Sequence, residues 1–264
     1  MALKTVRIGS VDVTRLVIGG NPFSGFSHQG PARDKEMRRY YTVDRIKRTL
    51  RKAEEAGINT FFGRADNHVI RMLEEYWAEG GRIQWFAQTA SEIDDYVRNI
   101  STAAANGAKA VYLHGGVADF YINKQQTEHF DKALCQARKL GLPGGLAGHK
   151  LETHCWARDH LSPDFELVCY YDPIPREDDP HHKAGDFEVF DPAHRDAAVK
   201  LIPGMKWPVV HYKVLAGGRT PAKEAFTYAA KHVRPQDIVL VGFHLGDDED
   251  IIAKTVDLFN KTIG

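Results

Sequence analysis

Short apolar runs recur along this chain, each closed by a glycine or polar turn and followed by a stretch of helical spacing. Few folds accept that alternation. It is plainest over residues 208–244, PVVHYKVLAGGRTPAKEAFTYAAKHVRPQDIVLVGFH. An apolar run, a glycine turn, a helix and a second apolar run make one β-α-β unit with parallel strands. Traced backwards, the unit predicts strands at Leu16–Ile18, Ile58–Phe62, Ile83–Ala87, Ala108–Leu113, Gly144–Ala147 and Phe165–Tyr171, with two more in 208–244. Parallel strands joined by right-handed helical crossovers close most simply as an α/β (β/α)8 TIM barrel. The 264 residues suit one such domain, residues 1–264, since the fold needs about 250. An open doubly wound sheet is the alternative. It would want GxGxxG after its first strand, where the chain reads GGNPFSG.

The flanking segments supply detail. Residues 4–18 predict a β-hairpin around Gly9-Ser10, leading into the first barrel strand. Thr42 is placed to cap a helix running to Ala56, with Gly57 as its stop. Ser91 and Asp94 have the spacing of a capping box, and Trp156 is expected on the inner face of a helix over Leu151–Asp159. The last helix is expected over Asp248–Phe259. Two long excursions, 21–41 and 172–190, leave predicted strand ends and should cover the barrel mouth. The His181-His182 pair in the second of them reads as surface.

Composition narrows the function classes. Lys and Arg total 35, as do Asp and Glu, so no general attraction to nucleic acid or an anionic membrane is expected. No apolar run is long enough to span a bilayer, and MALKTVRIG lacks a signal-peptide core. Three cysteines form no CxxC pair, which fits a reducing cytoplasm. The expected partner is a small-molecule substrate, and oligomeric state is left open.

In a barrel of this kind chemistry sits where strands end. Polar residues at those exits include Asn21, Arg64, Asp66, Gln88, His114, His149, Asp172 and Arg219. His114, in YLHGG, and His149, in LAGHK, leave neighbouring strands and should meet in one cavity. They are candidates for proton transfer or for a divalent metal, Zn²⁺ or Mn²⁺, completed by Asp66 or Asp172. In HYKV, His211 and Lys213 share one face of the strand and Tyr212 takes the other. A lysine turned into the barrel is too costly to bury unpaired, so it would bind an anion, pair with a carboxylate or react at a lowered pKa. With the register reversed, Tyr212 lines the cavity instead.

The layout resembles the aldo-keto reductase superfamily. The N-terminal hairpin, GINTFFGRA, VYLHGG, GLAGH and YKVLAGG carry the likeness across most of the chain. That resemblance implies NADPH and a tyrosine proton donor held by lysine and aspartate, beside a histidine. Only the histidine carries over, as His114. Gly63 stands where the aspartate is expected, Gln88-Thr89 where the lysine is expected, and no tyrosine fills the donor role. The resemblance matches Tyr212 to the nicotinamide-stacking tyrosine, with Arg219 and Asn21 as further cofactor candidates. The last exit, GFHLGDDED, lacks the basic grip for a 2′-phosphate. Three functions follow. The first is an enzyme acting on a polar carbonyl or sugar-like substrate through histidine and lysine, with or without metal. The second is an NAD(P)H-dependent reductase, and the third is a noncatalytic ligand-binding barrel.

Overall fold

A computed structural model describes residues 2–172, 174 and 188–264. The chain opens with β1 (Thr5–Ile8) and β2 (Val11–Thr14), an antiparallel hairpin that turns at Gly9, φ +54°. Eight strands follow: β3 (Leu16–Gly19), β4 (Thr60–Arg64), β5 (Gln84–Gln88), β6 (Ala110–Leu113), β7 (Gly144–Gly148), β8 (Phe165–Cys169), β9 (Val209–Tyr212) and β10 (Ile238–Gly242). They pair in parallel, in chain order, and β10 closes on β3 to complete the barrel. The expected TIM barrel with its hairpin is the observed fold.

The helices are α1 (Pro31–Tyr40), α2 (Val43–Glu55), α3 (Asn67–Ala78), α4 (Tyr96–Ala105) and α5 (Gly115–Asn123). They continue as α6 (Glu128–Lys139), α7 (Leu151–His160), α8 (Pro192–Leu201), α9 (Ala222–Ala229) and α10 (Ile251–Thr262). None among the described residues is long and apolar enough to cross a membrane.

Two apolar cores follow from the period-two alternation of the strands. Outward residues such as Phe61, Trp85 and Val168 pack against the helices. Inward residues, including Val17, Phe62, Phe86, Tyr112 and Phe165, fill the barrel together with Val6, Ile8, Val11 and Val13 of the hairpin. The Phe62 and Phe86 rings lie 4.9 Å apart, and Phe86 and Phe165 5.5 Å apart. Pro143, just before β7, occupies the space a side chain at Gly9 would need. The hairpin therefore plugs the N-terminal end and leaves the C-terminal end for a site. The glycines of β7 have the same logic: a Cβ on Gly145 would come within 2.7 Å of the Phe165 ring.

Several local expectations are corrected. Excursion 21–41 is largely structured, with a 3-10 turn at Asn21–Ser24 and then α1, begun by Gly30-Pro31. Periodicity missed α1 because its buried residues are only Asp34 and Met37. A second helix, α5, follows β6 directly. The α4 cap is Asp95, which accepts from Arg98 N–H at 2.9 Å, in place of the Ser91–Asp94 box. In α7 the buried residues are Thr153, His154 and Ala157; Trp156, half-buried, packs on the core against Phe130 at 5.1 Å, as expected, and stacks on His160. The last helix starts at Ile251. Thr42 caps α2 as expected. His181-His182 lies outside the described residues.

Candidate active site

The inward alternation continues past the core. Two residues beyond Phe62, Phe86, Tyr112, Ala147 and Val210 stand Arg64, Gln88, His114, His149 and Tyr212. These five line a cavity of about 310 Å³ at the C-terminal mouth. Asn21, Phe26 and His28 of the first excursion wall one side, and Lys213 also reaches the cavity. Asn21 Nδ2 donates to His28 Nε2 (3.1 Å), and His28 Nδ1 donates to Glu188 (2.8 Å). The first excursion and the described end of the second therefore meet at this mouth. At this size the cavity sits at the small end of ligand pockets, about 300–1,000 Å³.

His114 and His149 face one cavity, as their strand positions require. The decisive partner is Asp119, which the sequence reading did not single out. It lies one turn into α5 and is fully buried. Four donors converge on its carboxylate: His149 Nδ1 at 2.8 Å, Thr153 Oγ1 at 2.8 Å, and the backbone N–H groups of His149 and Lys150 at 3.1 and 3.2 Å. That bond places a proton on His149 Nδ1 and fixes the ring against rotation. Tyr212 stands edge-on to the imidazole, centroids 5.7 Å apart, and its hydroxyl donates to Gly148 O at 2.9 Å. Gly115 makes this packing fit, since a Cβ there would lie 2.9 Å from His149 Cε1 and 3.2 Å from the Tyr212 hydroxyl. One signal for Asp119 was present in the sequence: it is the single charge in the otherwise apolar GGVADFYIN, and a buried charge demands partners.

The HYKV segment resolves against strict alternation. His211 points away from the cavity into the outer layer, fully buried, where Tyr170 O–H donates to its Nδ1 (3.0 Å) and its Nε2 meets Asp237 (3.3 Å). Tyr212 lines the cavity. Lys213 does so too, because its backbone turns left-handed there, φ +56°, just past the last ladder residue. The shared face expected for His211 and Lys213 is therefore corrected: the strand ends one residue too early for it.

The other candidates have different surroundings. Asp66 caps α3, accepting from Val69 N–H (2.9 Å) and from Arg64 Nε (3.1 Å), so it steadies a cavity residue without lining the cavity. Arg64 also pairs with Glu92 and lies over the Phe26 ring. Arg219 lies 4.2 Å over the Phe190 ring and donates to Ala216 O. Neither Arg219 nor Asp172 is among the cavity-lining residues.

Metal and nicotinamide sites can be tested on these residues. Among the described residues, His114 and His149 belong to no group of three His, Cys, Asp or Glu whose ligand atoms lie within 4.8 Å of one another. Gly63, where the reductase resemblance expects an aspartate, has no room for one: its Cβ would lie 2.2 Å from Phe61 Cε1. The cavity-facing residue at that strand end is Arg64. At the exit of β10, Tyr40 and Tyr41 pack over His244, at 4.9 and 5.4 Å. The acidic run beside it is engaged by Arg33, Arg48, Lys52 and Lys254. These residues do not fit a grip for the adenosine phosphate of NADPH.

No protein-family model matches the sequence, and no curated protein matches it. Solved structures do. An aldo-keto reductase described as putative, from Pseudomonas aeruginosa, is 15% identical with a TM-score of 0.68, covering 98% of this chain and 96% of its own. A Bacillus halodurans aldo-keto reductase in holo form is 11% identical, TM-score 0.63, covering 97% and 90%. A truncated 3-deoxy-D-arabino-heptulosonate 7-phosphate synthase from Thermotoga maritima is 13% identical, TM-score 0.55, covering 99% and 90%. At such identities the likeness establishes the barrel fold, and the resemblance to aldo-keto reductases holds at that level.

Proposed function

We propose that this barrel is an enzyme of proton transfer acting on a small polar carbonyl or sugar-like substrate, with His149 as its general acid–base. The observation that carries this reading is the His149–Asp119 contact at 2.8 Å, with the carboxylate fully buried and the imidazole at the cavity wall. Buried carboxylates also hold the fully enclosed His154 and His211, but of these three rings only that of His149 lines the cavity. There the carboxylate fixes its tautomer and stabilises the imidazolium formed in turnover, as an acid–base histidine requires. Nε2 then takes a proton from the carbon or hydroxyl beside the carbonyl and returns it to the neighbouring position. The Lys213 ammonium, on the same cavity, polarises the carbonyl oxygen or holds an anionic substituent. His114, Gln88 and Arg64 orient hydroxyl groups.

Solvent-exchange NMR tests this. Small aldoses, ketoses and hydroxy-aldehydes incubated in D₂O with the protein should gain deuterium beside the carbonyl. Asp119→Asn and His149→Gln should slow that exchange about 10²–10⁴-fold, the usual worth of a general acid–base. Exchange unchanged by either variant, or substrate binding without exchange, would remove the proton-transfer reading and favour a noncatalytic barrel.

A further inference from the structure

His244 is 5% exposed, and neither of its ring nitrogens has a hydrogen-bond partner. A buried imidazole left without partners is unfavourable, and a bound ion is one way such a group is satisfied. The ring sits in the turn after β10, held edge-on between Tyr40 and Tyr41. Tyr41 fixes that turn, donating to Phe243 O (2.8 Å) and accepting from Leu245 N–H (3.1 Å).

Two carboxylates stand at the same place. Glu36 comes from α1 and Asp247 from the turn itself, and the ligand atoms of His244, Glu36 and Asp247 all lie within 4.8 Å of one another. His244 Nε2 is 3.7 Å from Glu36 Oε1, too far for a hydrogen bond. It is close to the spacing of two donors on one tetrahedral ion, about 3.4 Å for bonds of about 2.1 Å. Gly246 keeps the approach open, because a Cβ there would lie 2.6 Å from Nε2. None of the three ligands lines the cavity described above.

We propose that Glu36, His244 and Asp247 form a binding site for a first-row divalent cation, best suited to Zn²⁺, that clamps α1 onto the exit of the last strand. One imidazole nitrogen and two carboxylate oxygens are the donor set such ions take, with water completing the shell. Without the ion, Arg33 bridges the two acids: its Nη1 donates to Glu36 at 2.7 Å and its Nη2 to Asp247. The guanidinium is the competitor that the metal displaces. The clamp matters to the cavity because α1 is continuous with the segment bearing Asn21, Phe26 and His28. Ser27 N–H and Oγ–H, in that segment, both bond the buried Asp34 of α1 at 2.8 and 2.6 Å.

The experiment is calorimetric titration of the EDTA-treated full chain with Zn²⁺ alone, and then with Mn²⁺. One Zn²⁺ per chain at micromolar affinity or tighter is expected, with Mn²⁺ weaker. Glu36→Gln and Asp247→Asn, both on exposed side chains, should each weaken Zn²⁺ at least 10-fold. Gly246→Ala should do the same by covering Nε2. Arg33→Gln should bind at least 10-fold tighter by removing the competitor. Thermal melts in EDTA check that the variants remain folded. Absence of submillimolar Zn²⁺ binding in both the parent and Arg33→Gln would overturn the site. So would stoichiometric binding that Glu36→Gln and Asp247→Asn leave unchanged.

Discussion

Lys213 shows how much one residue's backbone decides. A left-handed conformation costs an L-residue roughly 1–2 kcal/mol, and such strain gathers where a side chain must be aimed. Here φ of +56° turns the ammonium into the cavity behind Tyr212. Lys213→Gly should therefore stabilise the fold by about 1 kcal/mol in urea denaturation while abolishing exchange activity. Lys213→Met should leave stability near the parent's and lose carbonyl or anion binding. A glycine variant no more stable than the parent would mean the strain is absent. His114 and His149 were legible from sequence because they continue the inward alternation of their strands. Lys213's orientation was not, since period-two counting fails once the ladder stops. Asp119 escaped because it reaches His149 across 30 positions of chain, from α5, a helix the sequence pattern did not reveal.

At the scale of elements, most barrel strands could be read directly, because burial on both faces writes them as apolar runs between glycines, and the hairpin by its alternation around Gly9-Ser10. Boundaries and the short helices could not. α1 owes its place to Asp34, Met37 and contacts made by Tyr40 and Tyr41, and nothing in its own periodicity announces them. α5 is placed by Gly115, where a side chain would collide with His149 and Tyr212. Gly115→Ala should keep the fold yet displace the imidazole, lowering exchange at least 10-fold with a melting temperature within a few degrees of the parent. β7 makes the opposite prediction. Gly145→Ala pushes a methyl into the Phe165 ring inside the barrel and should cost about 1–3 kcal/mol. Unfolding of that variant at the parental denaturant midpoint would show that the aromatic core yields.

Across the whole molecule, buried polar networks outside the barrel supplement its strand ladder. β9 and β10 share only two register pairs, Ile238↔Val210 and Val239↔His211. That seam is reinforced by Asp237, which accepts from Val209 N–H (2.9 Å) and from Arg234 and is met by His211. Burial alone would raise the Asp237 carboxyl, but these donors hold it at about 2. Burial keeps His211 below its ordinary value. A neutral ring with its proton on Nε2 then satisfies both Tyr170 and Asp237. The second network joins His154 Nδ1 to Glu166 (2.6 Å), His154 Nε2 to Gly148 O (3.2 Å), and Trp207 Nε1 to the other Glu166 oxygen (2.8 Å). Both nitrogens of His154 face acceptors, so the ring must carry two protons. Burial opposes that charge, and the hydrogen bond and charge of Glu166 outweigh it, holding the His154 pKa above its ordinary value.

The two shifts act at opposite ends of the pH scale. Asp237 is depressed, so its contribution is full above its ordinary 3.8 and is lost as pH falls toward about 2, an amount of about 2 kcal/mol. His154 is raised, so its contribution is full below 6.5 and is lost as pH climbs through its folded value. These two contributions together are greatest between about pH 4 and 6.5 and decline on both sides. His211, held below its ordinary value, adds a loss of stability as pH falls below 6.5. Denaturation midpoints across pH, for the parent and two variants, separate the causes. Asp237→Asn should flatten the acid limb at a cost of several kcal/mol near neutrality, about 3–5 for breaking a buried pair. His154→Gln should flatten the alkaline limb and leave the acid limb in place. An alkaline decline of the same depth in His154→Gln would show that the imidazolium–Glu166 pair is not its source.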